Sequence, residues 1–173
     1  MEILKYRSLG DEDKIYWRSL IGSCGWRAGD FLFSLLGGKK DEAVNTATGS
    51  ATVGACEVSE VLFEEVCGEG AQVLLLVEGR KLVSFCTYAP LDDVQPTLLT
   101  PWIGFVFTSE EYRGRRCAGE LISYAEGLAR EDGHEFTYIS TDHVGLYEKY
   151  GYELYQMAKS LDGEVARVYR KKL

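Results

Sequence analysis

In the first seventy residues of this chain, most apolar positions recur every three or four residues, as in helices; beyond them most alternate or run together, apart from one helical stretch after residue 116. Ile15, Tyr16, Leu20 and Ile21 share one helical face, behind Asp11 and Asp13, either of which can cap the helix. A strand over Ile3 to Leu9 is expected before it. Gly22 and Gly25 interrupt the helix. Asp30 then heads a second short helix through Phe31, Leu32, Leu35 and Leu36, which Gly37-Gly38 ends. Residues 39–56, rich in Ala, Thr, Ser and Gly, read as a long loop of the kind that is usually functional or mobile. Ser59 caps a third helix carrying Leu62, Phe63 and Val66, closed by Gly68.

Strands follow. Val73 to Val77 and Lys81 to Tyr88 flank Glu78-Gly79-Arg80 as a hairpin, and Trp102 to Thr108 is the next strand. Between them runs a connection, Ala89 to Leu99, with Pro90 and Pro96. Cys117 to Arg130 is an amphipathic helix, with Cys117, Leu121, Ile122, Ala125, Leu128 and Ala129 on one side and Glu120, Ser123, Glu126 and Arg130 opposite. Phe136 to Ile139 makes a short strand, and Val144 to Tyr150 a short helix that Gly151 ends. Tyr152 to Lys159 and Glu164 to Tyr169 close the chain as a hairpin around Asp162-Gly163, a dipeptide suited to a type I′ turn. This is a mixed α/β order.

Length and composition narrow the classes. A chain of 173 residues, 46% hydrophobic, fits one domain spanning 1–173. No apolar run approaches the roughly twenty residues of a membrane span, and Met1-Glu2-Ile3-Leu4-Lys5 does not open a secretory leader. Cys24, Cys56, Cys67, Cys86 and Cys117 are odd in number, lack metal-like spacing and lie mostly in apolar contexts, which points to a reducing cytoplasm. A net charge of -8 argues against general nucleic-acid binding.

Against that acidity, Tyr112-Arg113-Gly114-Arg115-Arg116-Cys117-Ala118-Gly119 stands out, with three arginines on a glycine-bearing turn between a strand and a helix. First-turn amides lack intrahelical acceptors, and the peptide dipoles add positive charge, so such a turn suits a phosphate. An ordinary turn with solvated arginines fits the pattern alone equally well.

Arg113-Gly114-x-x-x-Ala118 resembles the acyl-CoA signature of the GNAT superfamily of N-acetyltransferases, Q/R-x-x-G-x-G/A. Some thirty residues on, Leu146-Tyr147-Glu148-Lys149-Tyr150-Gly151-Tyr152 resembles that family's second landmark, LYEK-aromatic-GF. The resemblance is good from about Val73 to Leu173 and weak before it. Arg116 departs from it, standing where the signature's second constant position is normally glycine, while Ala118 fits the last position.

The resemblance implies a mostly antiparallel central sheet, splayed near its middle, with helices on both faces. It also implies acetyl-CoA as co-substrate and a small-molecule or peptide amine as acceptor, with no nucleic acid, membrane or metal in the reaction, and it leaves a homodimer open. Val106, Phe107 and Thr108 would offer backbone groups to the pantetheine arm. Gly104 in that strand marks a bulge or a close backbone approach, or merely accommodates a bulky neighbour. The amides from Gly114 through Arg115, Arg116, Cys117 and Ala118 to Gly119 would take the pyrophosphate, with the arginines adding charge. Tyr147 aligns with the family's general acid for the leaving thiolate. For the base, Glu110 and Glu111 follow the strand where acetyl group and amine should meet. Asp142 reads as a helix cap, His143 as a base or a surface residue, and His134 as a solvated loop residue. Two rivals stand beside the enzyme: a non-catalytic acyl-CoA-binding module, and an interaction domain using the 39–56 loop.

Overall fold

The computed structural model describes residues 1–39, 59–94 and 96–173, and the backbone alone at Val44–Asn45 and Ser50–Ala51. In chain order the elements are β1 Glu2–Lys5, α1 Asp11–Gly22, α2 Arg27–Leu35, β2 Val44–Asn45, β3 Ser50–Ala51, α3 Val61–Cys67, β4 Gln72–Glu78, β5 Lys81–Ala89, β6 Trp102–Thr108, α4 Cys117–Glu131, β7 Phe136–Thr141, β8 Glu153–Lys159 and β9 Val165–Lys172. Single 3₁₀ turns lie at Tyr6–Ser8, Glu110–Tyr112 and Tyr147–Tyr150.

Every residue from Val73 to Val77 is buried, because β4 is covered on both faces. Leu74 and Leu76 join Ile103 and the α4 residues Leu121, Ile122 and Ala125 in one core. Val73, Leu75 and Val77 point the other way, onto Ile21, Leu32 and Phe63 of the three N-terminal helices. The sheet order is β1-β4-β5-β6-β7-β9-β8. Its pairs are antiparallel apart from β6 and β7, whose parallel arrangement is what a helical crossover, here α4, produces. This is the mixed, mostly antiparallel α/β architecture with helices on both faces that the sequence implied.

Local details differ. The first strand ends at Lys5, where the chain turns into 3₁₀ at Tyr6. Gly10, not Asp11 or Asp13, is the cap of α1, and the acidic residues sit in its first turn. Asp30 lies inside α2, which starts at Arg27. Glu60, not Ser59, precedes α3. Helix dipole rather than side-chain capping is the common factor: none of these helix starts carries a side-chain cap bond. Within 39–56, β2 and β3 pair as a two-residue ladder, and apart from Lys39 the rest of that stretch lies outside the described residues, Cys56 included. Val144 to Tyr150 shortens to the single 3₁₀ turn Tyr147–Tyr150, so Asp142 caps nothing. The last hairpin turns through Ser160–Glu164 with positive φ at Gly163 and not at Asp162, which is not a type I′ geometry.

Glu126, expected on the solvent side of α4, is instead 3% exposed. Lys171 of β9 explains it, with Nζ 2.9 and 2.8 Å from the two carboxylate oxygens. Arg130 adds a weaker contact at 3.9 Å. Lys171→Met should leave a buried carboxylate short of its main partner. A loss of about 3 kcal/mol is expected, near the low end because Arg130 remains. Thermal unfolding at pH 7 should show it as a Tm lower by roughly 6–12 °C.

Candidate active site

Two features open the sheet at β6. On one side, Thr87 pairs with Gly104 and Phe85 with Phe107, so Phe105 and Val106 together oppose the single Cys86. That is a β-bulge, and it takes backbone groups out of the ladder. Phe105 has φ 49, a left-handed value that costs a bulky residue about 1–3 kcal/mol and that persists where surroundings enforce it. Its ring stacks on Phe31 of α2 at 6.3 Å. On the other side, β6 and β7 register only at Trp102 with Tyr138, where Tyr138 N–H also donates to Pro101 C=O at 3.0 Å. Past that point the two strands part.

The gap continues into a cleft of about 1180 Å³. Val106, Phe107, Thr108, Glu110, Glu111, Arg113, Gly114, Arg116, Cys117, Ala118 and Tyr147 all line it. Cys24, Gly25 and Trp26 between α1 and α2 form its opposite wall, with Trp26 stacked on Phe107 at 5.9 Å. Among the described residues its lining carries Arg80, Lys81, Arg113, Arg116 and Lys149 against Glu110 and Glu111. Locally, therefore, the field is positive in a chain of net charge -8.

The turn before α4 is built as an anion site needs. Gly114 has φ 79 and Arg116 has φ 62. Glu120 N–H donates to Arg116 C=O at 3.1 Å, so the amides of Cys117, Ala118 and Gly119 come too early in the helix for such a partner. Arg116 is the residue before the helix, in left-handed geometry that glycine adopts most easily. The glycine of the signature at this position is thus explained by conformation, and arginine here keeps the backbone shape at a cost of about 1–2 kcal/mol.

Two of the expected residues fall outside the cleft lining. The Arg115 guanidinium lies 5.2 Å over the Tyr112 ring, and the Arg115 backbone N–H donates to Tyr112 C=O at 3.3 Å. Gly119 faces Tyr150, whose Cε1 stands 2.6 Å from where a Cβ would be, so this glycine admits an aromatic neighbour. Arg113 is tied back to β6 through Thr108 C=O at 3.4 Å and pairs with Glu110 at 3.3 Å. Glu110 and Glu111 sit at the rim in a 3₁₀ turn, both exposed. His143 lines the cleft as well, whereas His134 sits between α4 and β7.

Tyr147 is buried, with the rings of Tyr152 and Tyr169 each 6.4 Å away. Its turn is held by Tyr169 Oη donating to Glu148 at 2.7 Å and is ended by Gly151 at φ 88. Burial, helped by nearby Cys86, Tyr150 and Asp92, pushes its phenol up to about 12, so it carries its proton at any working pH. Cys117 is also buried, and burial raises its thiol above the ordinary value.

One charged group near the bulge escaped sequence reasoning. Asp92 stands in the connection after β5, and its carboxylate lies in front of Gly104, where any side chain would strike it. The signal in the sequence was Gly104 itself.

With this geometry in place, comparison with known proteins is informative. A family model for the acetyltransferase (GNAT) domain matches residues 55–155, more than half of the chain. No curated protein matches. Among solved structures, a GNAT-family protein from Desulfovibrio desulfuricans superposes with TM-score 0.63 at 14% identity, over 99% of this chain and 98% of its own. An aminoglycoside 6'-N-acetyltransferase complexed with coenzyme A gives 0.60 at 12% identity, over 99% and 97%. A GNAT family acetyltransferase from Elizabethkingia anophelis with acetyl-CoA bound gives 0.52 at 15%, over 66% and 84%. At such identities the structural likeness speaks for the fold, and the family model carries the assignment. By that match, the chain belongs to the GNAT family of acetyltransferases.

Proposed function

We propose that this protein moves an acetyl group from acetyl-CoA to a primary amine by direct attack. The observation that carries the reading is the basic cleft running from the open edge of β6 to the amides before α4, with Tyr147 on its wall. An extended pantetheine arm fits along Val106, Phe107 and Thr108, on the side of β6 where β7 has parted from it. A pyrophosphate fits the N-terminus of α4, approached through Gly114 and Ala118 with Arg113 and Arg116 beside it. The thioester carbonyl then lies at the bulge, whose freed amides suit the oxyanion. The phenol of Tyr147 supports the departing thiolate. Cys117, neutral and buried, is a poor nucleophile, which favours transfer without an acyl-enzyme. N-terminal helices and C-terminal elements both wall the cleft, in keeping with one domain over 1–173. Among the described residues no helix is long and apolar enough to cross a membrane. A cytoplasmic location remains part of the proposal, supported by the free cysteines Cys24, Cys67, Cys86 and Cys117.

Calorimetry with CoA, followed by thiol release from acetyl-CoA across a panel of amines, tests the proposal. CoA binding of micromolar order, near roughly -8 kcal/mol, is expected. Binding without thiol release would favour the non-catalytic alternative. Arg116→Gly makes the phosphate contact measurable. Loss of one charge-assisted bond should weaken CoA by about 1.5–3 kcal/mol. Relief of left-handed strain should hold or slightly raise the melting temperature, since glycine's extra chain entropy offsets only about 0.5–1 kcal/mol of it. Unchanged affinity with unchanged salt dependence would show that Arg116 does not touch phosphate.

A further inference from the structure

The bulge has a second side. Val106 lines the large cleft, while Phe105 lines a separate cavity of about 250 Å³ across the strand. Phe31 of α2, Cys67 of α3 and the turn Ser160–Asp162 between β8 and β9 complete its walls. That turn is fixed: Ser160 Oγ donates to the Asp162 carboxylate, and Leu161 N–H donates to Asp93 C=O at 2.7 Å. Asp92 lines the cavity too, lying against the backbone of β6 because Gly104 has no side chain to exclude it. Its carboxylate is therefore one residue from the bulge. Among the described residues, the lining holds Asp92, Asp93 and Asp162 and no lysine or arginine, the reverse of the cleft. Fields of opposite sign on the two sides of one strand would sort an anionic donor from a cationic acceptor.

We infer that Asp92 takes the proton from the acceptor amine, and that the cavity it lines holds this amine as a compact cation. The inference rests on the acetyl-transfer reading. Glu110 is a weaker choice, since its side chain is 86% exposed and already paired with Arg113. Asp92 is pushed up to about 7 by burial and then by the charge of Asp93, and a base works best near the ambient pH. The other titratable groups around it are Cys67 on α3, Tyr147 across the strand and Asp162 on the turn. In the step, an ammonium N–H bond breaks and its proton passes to Asp92. The freed pair forms the C–N bond at the thioester carbonyl. The C–S bond then breaks, and the thiolate takes a proton from Tyr147. The nitrogen's second proton, lost as the amide forms, restores Tyr147 through solvent, and Asp92 releases the first to water.

The test uses the full chain with two probes of equal length, 1,4-diaminobutane and 4-aminobutanoate. On the CoA-loaded protein, calorimetry should show the diamine binding about tenfold tighter, because the second probe brings a like charge to the carboxylates. Asp162→Asn should reduce that preference by about fivefold, the scale of an exposed ion pair. With acetyl-CoA, Asp92→Asn should lower kcat on the diamine by about 10²-fold and raise KM only by the few-fold, about five, that losing one carboxylate of the cavity brings. Wild-type kcat/KM should fall about tenfold per pH unit below about pH 7, and Asp92→Asn should lack that limb. Folding stays out of the result: the carboxyl is raised above its unfolded value of about 3.9, so its ionisation opposes the fold as pH rises through that interval. Asn removes this penalty, and the variant should melt at or above wild type at pH 8. Wild-type kcat with a persisting limb near pH 7 in Asp92→Asn would overturn its role as base. Equal affinity for the two probes would overturn the cation cavity. A wild type that binds the diamine with the expected preference but releases no thiol would sink the acetyl-transfer reading and the role of Asp92, leaving the cavity assigned.

Discussion

Tyr147→Phe is expected to fold and bind CoA as wild type does while losing about 10²-fold in kcat on a good amine. The ring's surroundings, Tyr152 and Tyr169 at 6.4 Å, are preserved by phenylalanine, and only the hydroxyl goes. What the hydroxyl supplies follows from its acidity. With the phenol at about 12 and a thiol near 8.5, complete proton transfer in the ground state runs uphill by three to four pH units. In the proposed reaction the phenol therefore acts by hydrogen-bonding to sulfur as charge develops there, and its proton moves only as the C–S bond breaks. The pH profile of the variant should keep its shape between pH 6 and 10, unlike that of Asp92→Asn. A loss confined to KM would indicate a ground-state contact instead. Full activity would remove Tyr147 from the chemistry and leave water to protonate the thiolate.

Gly114→Val should weaken CoA by about 10²-fold, through two effects that separate experimentally. At φ 79 a β-branched residue is strained by about 1–2 kcal/mol. Nothing of the protein lies within 4 Å of where the new Cβ would sit, so no internal clash forms. In the proposed complex the methyl groups would instead stand in front of the amides of α4, displacing a phosphate and a charge-assisted bond of about 1.5–3 kcal/mol. Strain should appear in the melting temperature, and phosphate displacement only in the titration. Gly114→Ala, smaller and unbranched, should fall between. Failure of wild type to bind CoA at millimolar concentration would defeat the enzyme reading and the non-catalytic one together.

The sequence made β4, β5, β6 and α4 readable because their apolar periods are long and their partners adjacent. That Gly114 and Tyr147 come together on one cleft was readable because motifs keep a fixed spacing. Other features depend on partners that spacing does not reveal. Glu126 is buried because Lys171, 45 residues away, reaches it. Helix starts were misplaced because aspartate and serine were assumed to cap, whereas Gly10, Trp26 and Glu60 precede the helices without side-chain bonds. Gly104 was the one clue to the bulge. The strained residue turned out to be its neighbour Phe105, and the close approach came from a side chain, Asp92, in a connection without periodicity. No local pattern joins those three.

The turn Ser160–Glu164 joins β8, an edge strand of the sheet, to β9, and contributes to the small cavity without touching the cleft lining. Surface turns tolerate insertion and replacement far better than the strands they connect. If the small cavity holds the acceptor as proposed, a lineage carrying this fold can lengthen or recharge that turn and explore new acceptors while Gly114, the start of α4 and Tyr147 stay as they are. On the proposed assignment, donor and acceptor recognition rest on different segments and are free to diverge at different speeds.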